Sequence, residues 1–145
     1  MNFLSKSIND TKQLANSIAK NVSVGTVIAL NGNLGSGKTT FTQGFAESIG
    51  ITETVISPTF KLISEYLGNK FWLFHIDAYR LKGSQDFMNI GGERYLIPED
   101  GITIIEWANV ISPVLPENTI DISFSRIGEN QDARQIKIKG FKNDI

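Results

Sequence analysis

The sequence predicts an α/β fold with three layers, a mixed sheet and a C-terminal antiparallel hairpin. Three stretches carry that prediction. Thr26-Val27-Ile28-Ala29-Leu30 is a short β-branched apolar run, the pattern of a strand buried on both faces. A glycine-rich loop follows it at once. Thr39 to Ile49 then carries Phe41, Phe45 and Ile49 at i, i+4 and i+8, so strand, loop and helix succeed one another directly. Near the end of the chain Ile120, Ile122 and Phe124 alternate, as do Ile136 and Ile138, around the polar stretch Gly128 to Asp132. That pattern is a terminal hairpin.

The remaining elements fall between these. Ser7 to Lys20 reads as a first helix, with Ser7 as N-cap and Asp10 as its acidic partner three residues on. Leu14, Ala15, Ile18 and Val22 form its apolar face, and Gly25 ends the pattern. Gly50 stops the second helix as a C-cap glycine does. From Thr59 to Tyr66 residues alternate, with Phe60, Leu62, Ser64 and Tyr66 on one face. Gly68-Asn69 is a turn signal and Phe71 to Ile76 a second strand, which together predict a hairpin. Ser84 to Met88 reads as a short helix interrupted by Gly91-Gly92. Ile102-Thr103-Ile104-Ile105 is another β-branched run, ending at Glu106. Trp107 to Ile111 reads as a turn of helix, closed by Pro113 and Pro116. Strands around a central loop-helix unit predict a doubly wound sheet with antiparallel additions.

At 145 residues the chain is expected to be one domain, residues 1–145. With 41% hydrophobic and 20% charged residues it reads as an ordinary globular protein. A net charge of -1 gives no global basic field, so any direct nucleic-acid contact is expected to be weak. The absence of cysteine excludes disulfides, zinc thiolates and thiol catalysis. No segment approaches ~18 unbroken apolar residues, and MNFLSKSIND lacks the apolar core of a signal peptide. A cytoplasmic location is expected.

The chemistry centres on Gly32-Asn33-Leu34-Gly35-Ser36-Gly37-Lys38-Thr39, a complete G-x-x-x-x-G-K-[ST] phosphate-binding loop. Its glycines permit backbone angles that turn successive N–H groups inward on an anion. The helix that begins near Lys38 aims its N-terminal donors and positive dipole end at the same point. Lys38 is placed to reach the β- and γ-phosphates, and the Thr39 hydroxyl to ligate magnesium. Asn33, Leu34, Gly35, Ser36, Gly37, Lys38, Thr39 and Thr40 are therefore the candidate nucleotide-binding residues of the loop.

Such sites need an acid at the end of a neighbouring apolar strand. Asp77 and Glu106 both qualify, and the sequence does not separate the metal ligand from the group that orients water. His75 is the sole histidine, either a base or a structural strand residue. Arg80 reads as a phosphate or partner contact, or as a surface ion pair; Trp107 as a base-stacking ring or a core aromatic. Ser57-Pro58-Thr59 is a Pro-fixed loop offering two hydroxyls, suited to sensing a γ-phosphate. The guanine reader Asn-Lys-x-Asp is not formed, since Asn69-Lys70-Phe71-Trp72 lacks the aspartate. Adenine is the expected base, hence ATP.

Taken together, the loop through Thr40, Ser57-Pro58-Thr59-Phe60, His75-Ile76-Asp77-Ala78-Tyr79-Arg80, Ile105-Glu106-Trp107-Ala108 and Leu115-Pro116 resemble the TsaE (YjeE) family of bacterial ATPases. The resemblance runs from the first helix through Arg134. It implies a P-loop NTPase-like fold and hydrolysis of ATP with magnesium. It also implies a part in making N6-threonylcarbamoyladenosine in tRNAs that read codons beginning with A, with TsaB and TsaD as partners. TsaD carries the transfer, and the ATPase resets or drives the complex. By motif position, Gly35 to Thr40 would hold the phosphates, Thr39 and Glu106 the magnesium. Asp77 would sit by the γ-phosphate, with Lys38, Asp77 and Glu106 forming the catalytic set. Thr59 would belong to a switch-like loop, and Trp107 and Arg134 would lie near the nucleotide. One segment departs: Gly91-Gly92-Glu93-Arg94-Tyr95 has arginine where the family often has an acid before tyrosine.

Two other classes fit a P-loop, a small-molecule or nucleoside kinase and a nucleotide-gated switch with negligible turnover. Against the kinase, the four arginines (Arg80, Arg94, Arg126, Arg134) are scattered along the chain and form no lid-like cluster.

Overall fold

The computed structural model describes residues 1–58 and 60–143. Its strands are β1 (Asn2–Ser5), β2 (Val27–Gly32), β3 (Ile63–Leu67), β4 (Trp72–Asp77), β5 (Gly101–Glu106), β6 (Ile120–Ile127) and β7 (Asn130–Lys139). They form a seven-stranded sheet in the order β1-β7-β6-β2-β5-β4-β3. β6, β2, β5 and β4 are mutually parallel, and the outer pairings are antiparallel. This is the mixed sheet that the alternating and β-branched runs predict.

Period-two alternation divides the core between the two faces. From β2, Ile28 and Leu30 pack with Leu14 and Ile18 of α1 (Ile8–Ala19) and Phe41 and Phe45 of α2 (Lys38–Ser48). Val27 and Ala29 point the other way, toward Phe87 of α3 (Ser84–Asn89) and toward Tyr95 and Ile111 from the 3-10 segments Gly92–Tyr95 and Ala108–Val114. Helix, sheet and helix make three layers. The first helix is capped as its sequence indicates: the Asp10 N–H donates to Ser7 Oγ at 3.0 Å, and the Asp10 carboxylate accepts the Lys6 N–H at 2.9 Å.

Four local expectations need correction. β1 has no expected counterpart, because four residues are too few for a periodic signal; it exists by pairing with β7, Asn2 opposite Lys137. The first hairpin strand begins at Ile63 rather than Thr59. Leu62 has φ 66°, which ends the extended run, and Phe60 is 81% exposed in a turn instead of sharing the buried face of Tyr66. The Gly128 to Asp132 stretch is mostly strand, since β7 starts at Asn130. The segment after Glu106 is a 3-10 helix that runs through Pro113 instead of closing there.

Candidate functional site

The glycine-rich loop leaves the C-terminal end of β2, the central strand, where its neighbours are β5 and β6. That edge of a parallel sheet is where open α/β folds bind ligands. Gly37, at the N-cap of α2, has φ 112° and ψ 6°. Gly32, at the end of β2, has φ 150°, and a Cβ there would lie 2.6 Å from Ser36 Oγ and 2.7 Å from the Phe124 carbonyl oxygen. The loop is thus folded tightly against β6.

Lys38 opens α2 and is buried. Its ammonium donates to the Gly32 carbonyl at 2.6 Å and the Asn33 carbonyl at 3.0 Å, and sits 4.3 Å from the centre of the Trp107 ring. Burial pushes the ammonium below its usual pKa, and the charges of Glu106 and Asp77 offset part of that fall. Carbonyls, carboxylates and an aromatic face all draw the cation into the cleft.

The acids arrive through strand register. Asp77 pairs with Glu106 across β4 and β5, so the two strand ends place both side chains on the face of α2. The Thr39 hydroxyl donates to Glu106, at 3.1 Å to Oε1 and 3.3 Å to Oε2. His75 Nε2 lies 2.5 Å from Glu106 Oε2. The Ser57 hydroxyl donates to Asp77 Oδ2 at 2.8 Å, and the Tyr79 N–H to Oδ1 at 3.0 Å. Trp107 follows Glu106 in a left-handed conformation, φ 58° and ψ 37°, which turns its ring back over Lys38 and within 4.9 Å of the Tyr79 ring. A non-glycine residue held there costs of order 1–3 kcal/mol, and such strain clusters at functional sites.

Leu34 to Thr40, Ser57, Asp77, Glu106, Trp107 and Arg134 line one cleft of about 260 Å³. Most of the residues singled out by the sequence therefore meet. Asn33 does not line the cleft and enters through its carbonyl on Lys38. Thr59 lies outside the described residues. His75 is wholly buried against Glu106. Arg80 is exposed and stacks on Phe60, 4.4 Å from its ring centre, away from the cleft lining.

The family model for "Threonylcarbamoyl adenosine biosynthesis protein TsaE" matches residues 5–136, which include every residue of the cleft. The chain belongs to the TsaE family. Its relative from Bacillus subtilis (strain 168), called tRNA threonylcarbamoyladenosine biosynthesis protein TsaE, is 39% identical over 134 residues, covering 92% of this chain and 82% of the relative. The protein of the same name from Treponema pallidum (strain Nichols) is 37% identical over 123 residues, covering 85% of this chain and 90% of the relative. The crystal structure of YdiB from Bacillus subtilis matches with a TM-score of 0.74 and 34% identity, covering 94% of this chain and 82% of that one. The P-loop NTPase-like α/β fold is thereby shared with a solved structure.

Three residues at the cleft or its loop escape sequence reasoning. Ile8 and Asp132 line the cleft from the start of α1 and the tip of β7. Arg126 meets Arg134 at the loop: both guanidinium groups donate to the Gly35 carbonyl, at 3.3 and 3.0 Å, and Arg134 Nε donates to the Ser36 carbonyl at 2.8 Å. Arginines scattered along the sequence are paired in space. No local pattern announces these contacts, because each depends on a distant element reaching the loop. Among the described residues no group of three or more His, Cys, Asp or Glu could hold a metal by itself. A hydroxyl and a carboxylate in contact, Thr39 with Glu106, suit a hard cation that completes its shell with phosphate oxygens and water.

Proposed function

We propose that this TsaE-family chain is a single-domain magnesium-dependent ATPase acting in the cytoplasm. It works on the TsaB–TsaD complex that makes N6-threonylcarbamoyladenosine in tRNA. The observation that carries the reading is the Thr39–Glu106 contact in the cleft, with Lys38 beside it and Asp77 on the neighbouring strand.

The loop amides and the N-terminus of α2 bind the phosphates, and Lys38 supplies a compact positive charge to the β- and γ-groups. Oxygen donors from Thr39 and Glu106 fit magnesium, which when bound supplies electrophilic charge to the phosphate oxygens. Asp77, held at both carboxylate oxygens by Ser57 and the Tyr79 amide, is placed to orient the attacking water. Water attacks the γ-phosphorus, the bond to the bridging oxygen breaks, and ADP and inorganic phosphate leave. Trp107 braces the Lys38 arm at the edge of the nucleotide, and Arg134 fixes the outer loop carbonyls. The net charge of -1 supports weak direct contact with tRNA.

Phosphate release from ATP and magnesium, with and without purified TsaB and TsaD, tests the proposal. Slow turnover alone and faster turnover with the partners is expected. No hydrolysis even with both partners would leave a nucleotide-gated switch. Efficient transfer of labelled phosphoryl to a metabolite would make it a kinase.

A further inference from the structure

We propose that His75 is a positioning residue, which donates its Nε2–H to Glu106 and so holds that carboxylate toward Thr39 and away from Lys38. The inference rests on the reading of Glu106 as a metal-binding acid.

His75 lies on β4, opposite Ile104 of β5, with its side chain on the face of α2 between Leu73 and Asp77. It is fully buried. An imidazole in that place is costly, because a buried polar group must be hydrogen-bonded to offset its lost hydration. Yet Nδ1 has no partner among the described residues, and the single polar contact of the ring is Nε2 to Glu106 Oε2 at 2.5 Å. Packing alone would be served as well by an apolar side chain. The ring's one polar contact is the acid of the cleft.

The direction of that bond follows from the orphaned nitrogen. If the ring proton sat on Nδ1, a buried N–H would face no acceptor, and unpaired buried donors are rarer than unpaired acceptors. With the proton on Nε2 the ring donates to the carboxylate, and only a lone pair is left bare. Glu106 then receives two donors, the imidazole and the Thr39 hydroxyl.

Those two donors decide where the acid points. Glu106 is an arm with three torsions, and its charge already acts on the Lys38 ammonium in the same cleft. A direct Glu106–Lys38 pair would occupy both groups, removing one from the metal and the other from phosphate. His75 reaches Glu106 from β4, which lies on the other side of β5 from β2 and the loop that carries Lys38, and a buried donor from that side opposes the collapse. Metal-binding carboxylates and histidines are commonly held in this way by partners behind them.

Two measurements test the inference. His75 is the only histidine, so a tag-free, ¹⁵N-labelled protein gives a single imidazole in long-range ¹H–¹⁵N spectra. The expected result is the Nε2–H tautomer with a strongly downfield proton that moves in Glu106→Gln. An Nδ1–H tautomer would overturn the proposal. The second measurement is calorimetric binding of a non-hydrolysable ATP analogue with magnesium and with EDTA. In His75→Phe, which fills the ring's space without a donor, the gain in affinity from magnesium should fall at least about tenfold. Metal-free affinity should stay within about twofold. His75→Gln, whose amide nitrogen stands in for Nε2, should keep most of the gain. Wild-type magnesium coupling in His75→Phe would overturn this inference and leave the ATPase reading intact. Absence of coupling in the wild type would overturn Glu106 as the metal ligand, and this inference with it. Should His75→Phe fail to fold, the spectrum of the wild-type protein decides alone.

Discussion

Gly32→Ala should unfold the protein at markedly lower temperature, whereas Gly37→Ala in the same loop should not. Gly32 sits at φ 150°, and an added Cβ would come 2.6 Å from Ser36 Oγ and 2.7 Å from the Phe124 carbonyl. One of those atoms is backbone of β6, so relief requires the loop to move off the sheet. Strain at such a φ costs of order 1–3 kcal/mol, and overpacking adds about 1–3 kcal/mol. The alanine recovers about 0.4–1 kcal/mol by restricting the unfolded chain. The net is roughly 3 kcal/mol, a fall in melting temperature of about 9 °C at ~3 °C per kcal/mol for a chain of this size. Gly37 has φ 112°, and its added Cβ would make only ordinary contact, 3.6 Å from the Phe124 ring. It bears strain without collision, about 1 kcal/mol or ~3 °C. Scanning calorimetry of the two variants, supported by guanidinium midpoints, gives the comparison. Gly32→Ala should also weaken nucleotide binding, because the Gly32 carbonyl holds Lys38 at 2.6 Å. A Gly32→Ala protein melting within about 2 °C of wild type, or one more stable than Gly37→Ala, would refute the reasoning.

Lys38→Met should weaken ATP binding by about two orders of magnitude in calorimetry, since a charge-assisted contact to phosphate is lost. The same variant reads the pH dependence. Burial holds the folded pKa of Lys38 below its ordinary value of 10.5, so burying the ammonium costs stability in full below the folded pKa, and that cost fades as pH rises to 10.5. Denaturant titrations at about pH 8 and 10 should show the wild type gaining stability relative to Lys38→Met. Glu106→Ala should lower steady-state phosphate release at least about 100-fold while changing metal-free nucleotide affinity about threefold or less; normal turnover would remove Glu106 from the catalytic set. Ser57→Ala frees one oxygen of Asp77, and the loss of about 1–1.5 kcal/mol should slow hydrolysis roughly tenfold. Limited proteolysis should then cut more readily near Ile56, and unchanged cleavage with unchanged turnover would argue against the tether.

The parts of the site that the sequence discloses are those whose signals are local. Gly32 to Thr39 carries its chemistry in spacing alone, and the runs Phe71 to Ile76 and Ile102 to Ile105 show their terminal acids, Asp77 and Glu106, directly. The capped first helix and the terminal hairpin follow from cap chemistry and alternation in the same way. What stayed hidden depends on where distant elements land. β1 exists only because β7 offers it an edge. Arg126 and Arg134 converge on Gly35 because the terminal hairpin folds back beside the loop, across 91 and 99 residues of chain. The polar stretch before Ala133 reads as a loop because its residues are exposed strand rather than buried strand.

The two acids show where local reading ends. Asp77 and Glu106 are each visible as a charge closing an apolar run, and either could be a solvated strand end. Register decides otherwise. β4 and β5 pair with Asp77 opposite Glu106, and His75 opposite Ile104. Because side chains alternate strictly, a slip of one residue would send Glu106 to the face of α3 and leave Asp77 and Thr39 without it. The hydrophobic pattern forbids that slip, since Ile102 and Ile104 are needed against α1 and α2, while Ile105 fills the opposite core beside Ile76. The packing that holds the sheet together therefore also aims the carboxylates. The acid pair is a consequence of core registry, and a substitution that loosens Ile104 should disturb the chemistry as much as the fold.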